Sequence, residues 1–231
     1  MKNKPSDYGE YIDGIDPEEA KKIEAVSGKA VVRTYRSQDE WTVSEALWTS
    51  SFWFIVIAYS LCSMIIHLTT AHGVLHLTDL GYTKMQAAYA LSLVLIGSLL
   101  RLPLAWLADY VEPRWVMSFV FLVTVVSVLL FWQAPSLTLV IAAAIGLGLT
   151  YGTGFVLMPT LVANYFHNKS FAKLNGVIMP INICAAAIVP VGMGYVYQYY
   201  KSYDLAFVII TALAMLSFIL TLANKPPIKK T

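Results

Sequence analysis

From residue 46 to residue 231 the sequence has very little charge: 9 Lys or Arg and 4 Asp or Glu in 186 residues. A soluble domain spends about a quarter of its residues on charge, so a water-facing surface cannot be built from this stretch. That excludes a soluble enzyme. The whole 231-residue chain has a net charge of only +2, so it also lacks the basic face that a nucleic-acid partner needs. Cysteine is scarce as well. Cys62 and Cys184 stand alone in apolar runs, where a thiol acts as a small buried hydrophobe. No CxxC pair or metal-ligand spacing occurs, so neither a disulfide framework, a metal site nor a redox motif is implied. There is no nucleophile–base pair, Walker loop or dinucleotide fingerprint, hence no expectation of catalysis or of a cofactor. The N-terminus is polar and acidic, so no cleavable signal peptide is expected, and the first spanning helix should direct insertion itself.

What the sequence does have is apolar length. Apolar residues make up 58% of the chain, and the mean hydropathy is +0.63. A helix needs about 20 mostly apolar residues to cross the roughly 30 Å hydrocarbon core of a bilayer. Residues 46–78 carry no charge, and Phe52–Ala71 is the natural first span. The second runs over about 85–107, interrupted only by Arg101. The uncharged stretch from Trp115 to Asn168 is too long for one crossing and is cut by Gln133-Ala134-Pro135-Ser136, a turn signal. This gives spans near 115–132 and 137–159, followed by 174–198 and 205–223. The expected fold is an all-α membrane protein with six transmembrane helices.

Charge position then predicts topology. Residues 1–45 hold 17 of the 30 charges, with 7 basic and 10 acidic. They read as a cytosolic linker, residues 46–224 as the bundle and 225–231 as a cytosolic tail. With both ends inside, 14 of the 16 Lys and Arg residues fall on the cytosolic side, and only Lys84 and Lys201 outside. That is the bias the positive-inside rule describes. Tyr199, Tyr200 and Tyr203 suit an aromatic belt at the outer interface. In the linker, Asp16, Pro17, Glu18 and Glu19 start a short helix that Gly28 stops. Thr42-Val43-Ser44-Glu45 is a capping box leading into the first span.

Few polar groups lie within the spans, and each is a candidate. Arg101 is the one intramembrane charge. Such a residue is costly and normally faces a cavity or a partner, and its fork suits a carboxylate. Equally, it could snorkel to the interface or pair with Asp109 two turns on. Ser60, Ser63, His67 and Thr70 share one helical face, expected to point inward. His67 is either a proton-coupling or hydrogen-bonding group for a substrate, or a satisfied polar residue between helices. His72 and His76 at i, i+4 have no accompanying carboxylate and are poor evidence for metal. Gly146, Gly148, Gly152 and Gly154 in the fourth span read as ordinary small-residue packing, and Pro159 as a kink. In the fifth span Asn175, Met179 and Asn182 share a face. Pro180, Pro190, Gly192 and Gly194 are expected to break its regularity, as suits a helix lining a water-filled path.

These features resemble a known family. Ala105-Trp106-Leu107-Ala108-Asp109-Tyr110-Val111-Glu112-Pro113-Arg114, following the second span, is similar to the cytosolic gating signature of the major facilitator superfamily. Asp109 and Arg114 match it, while Tyr110, Val111 and Glu112 replace its usual arginine-x-glycine. The stretches WTVSEALWTSSFW (41–53) and MPTLVANYF (158–166) resemble the branch holding oxalate/formate antiporters and monocarboxylate transporters. The resemblance covers about residues 40–223. It implies one six-helix bundle, the C-terminal half of a twelve-helix transporter. It also implies that the opening MKNKPSDYGEYIDG belongs to the loop joining two halves, so that a separate or preceding N-terminal six-helix half is a partner. Within it, Arg101 stands where the branch binds the substrate carboxylate, and Asn182 where oxalate/formate transporters carry a lysine. One cation rather than two favours a small monocarboxylate, moved with a proton or a counter-anion across the plasma or inner membrane. Asn182, Asn175 and His67 would add hydrogen bonds. The other reading is a non-transporting membrane half-protein, regulatory or vestigial.

Overall fold

A computed structural model describes residues 34–229. The helix expected between Asp16 and Gly28 lies outside the described residues. Every regular element among the described residues is helical. A short entry helix α1 (Val43–Leu47) is capped by Thr42, whose hydroxyl accepts from the Glu45 N–H while the Glu45 carboxylate accepts from the Thr42 N–H at 2.7 Å. Six long apolar helical segments follow. The first is α2 (Ser50–Asp79). The second, Lys84–Tyr110, is built from α3 (Lys84–Gly97), one 3₁₀ turn (Ser98–Leu100) and α4 (Arg101–Tyr110). The others are α5 (Pro113–Gln133), α6 (Leu137–Phe166), α7 (Asn168–Tyr200) and α8 (Asp204–Ala223).

The helix ends have local causes. Thr49 and Ser136 accept from the N–H groups of Phe52 and Leu139. Thr83 and Gln86 form a second capping box. Pro113 occupies the first turn of α5, where its missing N–H costs nothing. Gly81, at φ +93°, turns the chain between α2 and α3 in a conformation that favours glycine. Several helices outrun the spans expected for them. α2 has 30 residues, about 45 Å at 1.5 Å per residue, so it extends past a 30 Å core into the polar layers.

The helices alternate in direction, so both ends of the described chain meet on one face of the bundle. Ser51 Oγ donates to the Lys225 carbonyl at 2.5 Å, and the Ser37 N–H donates to Asn164 O at 2.8 Å. On the opposite face Tyr82 donates to Ala134 O, and Trp132 Nε1 to Asp204 Oδ1. We call these the terminal and the opposite face.

Two apolar clusters fill the interior. The one toward the terminal face includes Phe52, Tyr59, Met117, Leu161, Phe166 and Ile178. The other includes Ile65, Leu77, Phe131, Leu147, Val189 and Phe207. Helices α3 and α6 meet almost backbone to backbone at Gly97, Gly148 and Gly152. Small residues are what allow such approach in a membrane, where dispersion rather than water exclusion holds helices together. Gly148 and Gly152 of the fourth span therefore form a tight seam with the second.

Several expectations need adjustment. α6 and α7 run unbroken through Pro159, Pro180 and Pro190, because packed neighbours in a membrane helix can absorb the lost backbone bonds. Tyr203 is buried against His72, His76 and Tyr197 instead of joining an interfacial belt, whereas Tyr199 and Tyr200 are exposed. Cys62 is buried but Cys184 is exposed on the bundle surface. Of the polar face on α2, only Ser60 is buried; His67 and Thr70 are exposed.

Candidate functional site

Between α2, α6 and α7 lies a cleft of about 510 Å³. Tyr59, Cys62, Ser63 and His67 of α2 line it, with Thr150 and Tyr151 of α6 and Asn182 of α7. The remaining wall is apolar, including Phe155, Met179 and Pro190. Ser63, Tyr151 and Asn182 all stand close to the midpoints of their helices, which puts the cleft near half-depth of the bundle. No acidic or basic side chain lines it apart from the imidazole of His67.

The polar groups are held by the helices that carry them. His67 Nδ1 lies 2.8 Å from the Ser63 carbonyl oxygen. A carbonyl can only accept, so Nδ1 carries the hydrogen and Nε2 is the acceptor of the neutral ring. Asn182 Nδ2 donates to the Tyr59 carbonyl at 3.3 Å, tying α7 to α2. Thr150 and Thr124 hydroxyls pair at 2.7 Å behind the α6 wall. Tyr59 precedes Ser63 and His67 at four-residue steps, so the spacing that marks those two residues covers it too. Tyr151 sits inside the glycine seam, where no polar periodicity marks it.

The sequence-selected residues do not all meet here. His67 and Asn182 share the cleft. Asn175 lies seven residues before Asn182, about 10 Å along the helix, and lines a nearly closed neighbouring pocket with Tyr59, Pro159 and Met179. Arg101 does not line the cleft. It opens α4 directly after the 3₁₀ turn and is exposed. The ion pairs among the described residues are Lys169–Glu40 and Lys229–Glu45, so Arg101 is not paired with Asp109. Along its span Arg101 stands about four residues, roughly 6 Å, from the midpoint toward the terminal face.

The matched gating residues also separate. Asp109 is exposed. Arg114 Nη1 donates to the Asn224 carbonyl at 2.6 Å, and its guanidinium lies 4.6 Å over the Trp115 ring. Glu112 accepts from the Tyr35 N–H at 2.8 Å. Thus Glu112 and Arg114, not Asp109, bind the α4–α5 loop to the segments before α1 and after α8. On the opposite face His72 and His76 bind different partners. His72 Nε2 donates to Pro190 O at 3.2 Å and its Nδ1 faces the Tyr203 hydroxyl at 3.3 Å. His76 Nε2 donates to Trp132 O at 3.0 Å.

The six-span bundle agrees with what a family profile finds. The profile of the Major Facilitator Superfamily matches residues 47–231. The chain belongs to the Major Facilitator Superfamily. It is a multi-pass membrane protein of that superfamily. Among its curated relatives is the probable nitrate transporter NarT of Staphylococcus carnosus, 25% identical over 155 residues, covering 65% of this chain and 39% of that protein. A second is the probable nitrate transporter NarT of Staphylococcus epidermidis, 30% identical over 157 residues, covering 65% of this chain and 40% of that protein. The matched stretch thus spans well under half the length of these superfamily relatives.

Proposed function

We propose that this chain is the C-terminal six-helix bundle of a secondary transporter for a small monovalent oxyanion. The observation that carries the reading is the mid-depth cleft that brings His67 and Asn182 together, with Arg101 on an exposed helix toward the terminal face. The two relatives are named for nitrate, and the motif resemblance favours a monocarboxylate. Both are planar, singly charged oxyanions that a guanidinium can hold through two parallel hydrogen bonds.

The cleft wall alone is neutral, so a cation must reach the anion. Arg101 supplies one as the bundle rocks against a second six-helix half around the mid-depth site. The Lys84–Tyr110 span is the least buried of the six, as suits a helix that faces that half. His67 supplies the other. Protonation at Nε2 turns its acceptor into a donor and adds a positive charge, so proton and anion bind together. Asn182 offers an amide hydrogen bond, and Asn175 a second one on the path toward the terminal face. Asp109 and Arg114 belong to the gate. The terminal face is cytosolic in this reading, with residues 1–45 as linker, 46–224 as bundle and 225–231 as tail in the plasma or inner membrane.

The test is uptake of labelled nitrate and labelled formate by the assembled transporter. Arg101→Lys should abolish uptake of whichever anion the wild type carries, while surface abundance stays unchanged. Uptake at the wild-type level in Arg101→Lys would overturn the assignment.

A further inference from the structure

Where the chain enters α2 and leaves α8, a second groove of about 710 Å³ opens on the terminal face, sharing no residue with the mid-depth cleft. One wall is Trp48, Thr49, Ser50 and Phe54, and the other is the tail from Lys225 to Lys229. Ser50 starts a spanning helix and Ala223 ends one, so the groove sits at the level where hydrocarbon gives way to polar headgroups. Two large apolar side chains stand in the open there: Trp48 is 89% exposed and Ile228 88%. Amphipathic rings are enriched at this level of a bilayer, but in water such exposure has no benefit.

The charges of the groove are unequal. Lys229 is committed: it pairs with Glu45 at 3.2 Å and donates to the Glu40 carbonyl at 2.7 Å. Glu45, the acid on the groove wall, is thereby neutralised. Lys225 is exposed and has no acidic partner among the described residues. Its backbone is fixed, because its carbonyl accepts from Ser51 Oγ at 2.5 Å and the preceding carbonyl, of Asn224, accepts from Arg114. One held cation, one spent ion pair and an apolar floor at Phe54 complement a ligand with a single negative head and greasy tails.

We propose that this groove seats an anionic phospholipid of the adjoining leaflet, its phosphate at Lys225 and its acyl chains along Trp48 and Phe54. A lipid held there braces the tail, and with it the Asn224 carbonyl that anchors Arg114 and the α4–α5 loop. The proposal depends on the bundle being membrane-embedded and not on which solute it carries.

The full chain, purified in detergent, is exposed to phosphatidylglycerol or phosphatidylcholine of identical acyl composition, and retained lipid is counted by native mass spectrometry. Phosphatidylglycerol should be retained preferentially. Lys225→Glu should weaken its apparent affinity by about tenfold and leave phosphatidylcholine unchanged, and Lys84→Glu on the opposite face should change neither. A photoactivatable phosphatidylglycerol should label peptides covering 48–54 and 223–229 in the wild type, a readout that needs no variant to fold. Equal retention of the two lipids, label confined to other peptides, or an equal loss in Lys84→Glu would overturn the proposal. So would equally strong competition by glycerol phosphate without acyl chains, which would make the groove a phosphate site.

Discussion

A β-carbon placed on Gly148 would lie 2.0 Å from the Val94 carbonyl oxygen and 2.9 Å from Gly97 Cα. These are backbone atoms, so no side chain can rotate aside. To restore even a 3.0 Å contact, α3 and α6 must part by about 1 Å. Gly97 and Gly152 hold the same seam, with 2.2 Å and 2.3 Å to the carbonyls of Ile145 and Ser98. Opening it therefore weakens packing along several turns at once. Overfilling a packed core costs about 1–3 kcal/mol, and a rigid backbone obstacle puts Gly148→Ala at the upper end. Alanine's better helix propensity returns about 1 kcal/mol, leaving a net loss of about 2 kcal/mol. For a chain of this size that is roughly 4–8 °C in melting temperature.

The control lies in the same helix. At Gly154 the nearest atom to an added β-carbon is Tyr59 Cε2, at 3.9 Å, and at Gly176 of α7 nothing lies within 4 Å. Gly154→Ala and Gly176→Ala should melt at or slightly above the wild type. The assay is the fraction of monodisperse protein left after heating in detergent, read by size-exclusion chromatography. If Gly148→Ala and Gly154→Ala melt alike, the seam is not a close backbone contact and the reasoning fails.

Two further outcomes follow from single contacts. Interhelical hydrogen bonds in membranes are worth about 0.6 kcal/mol on average and at most about 1.7, so Asn182→Ala, which loses the bond to Tyr59 O, should lower the melting temperature by only a few degrees while weakening anion uptake far more; a loss of stability without a change in apparent KM would remove Asn182 from the site. At the terminal face, the Lys169 hydrogen bond holds the Glu40 carboxyl below its usual range, and the Thr42 backbone N–H does the same for Glu45. Carboxyls depressed in the folded state add stability that is complete above about pH 4.3 and is lost as pH falls through their lowered folded values. Amide protection factors of residues 34–49, corrected for the pH dependence of intrinsic exchange, should therefore fall on acidification below about pH 4, and less so in a Glu40→Gln, Glu45→Gln double variant; identical acid responses would refute this.

The parts of the fold legible from sequence were those set by solvent. Apolar runs separated near Gly81, Pro113, Pro135, Lys169 and Lys201 mark six crossings because a bilayer tolerates little else. Polar spacing on α2 and α7 was legible only in part: Ser63, His67 and Asn182 line one cleft, while Ser60 and Thr70 of the same α2 face do not. What stayed hidden depends on contacts between helices. Nothing in the pattern around Gly148 separates a backbone seam from ordinary packing, since glycine fits both. The prolines of α6 and α7 signal breaks by local sterics, and neighbouring helices override them. In the α4–α5 loop Asp109 matches a family signature, but Glu112 and Arg114 make the bonds, because their partners, the Tyr35 N–H and the Asn224 carbonyl, lie far away in sequence.

The position of Arg101 joins these points. The seam grips the second span at Val94, Gly97 and Ser98, and Ser98 opens the 3₁₀ turn that leads to Arg101. Such a turn inside a helix commonly marks a hinge. One edge of α3 and the turn itself pack closely against α6, whereas α4 beyond it packs more loosely and is mostly exposed. A cation directly past a hinge can change its distance to the neutral cleft without the seam opening. On the proposed reading, an arginine about 6 Å off the midpoint and a cleft histidine that gains charge only with a proton make the attraction depend on conformation and protonation together. The proton–anion coupling proposed above rests on that dependence.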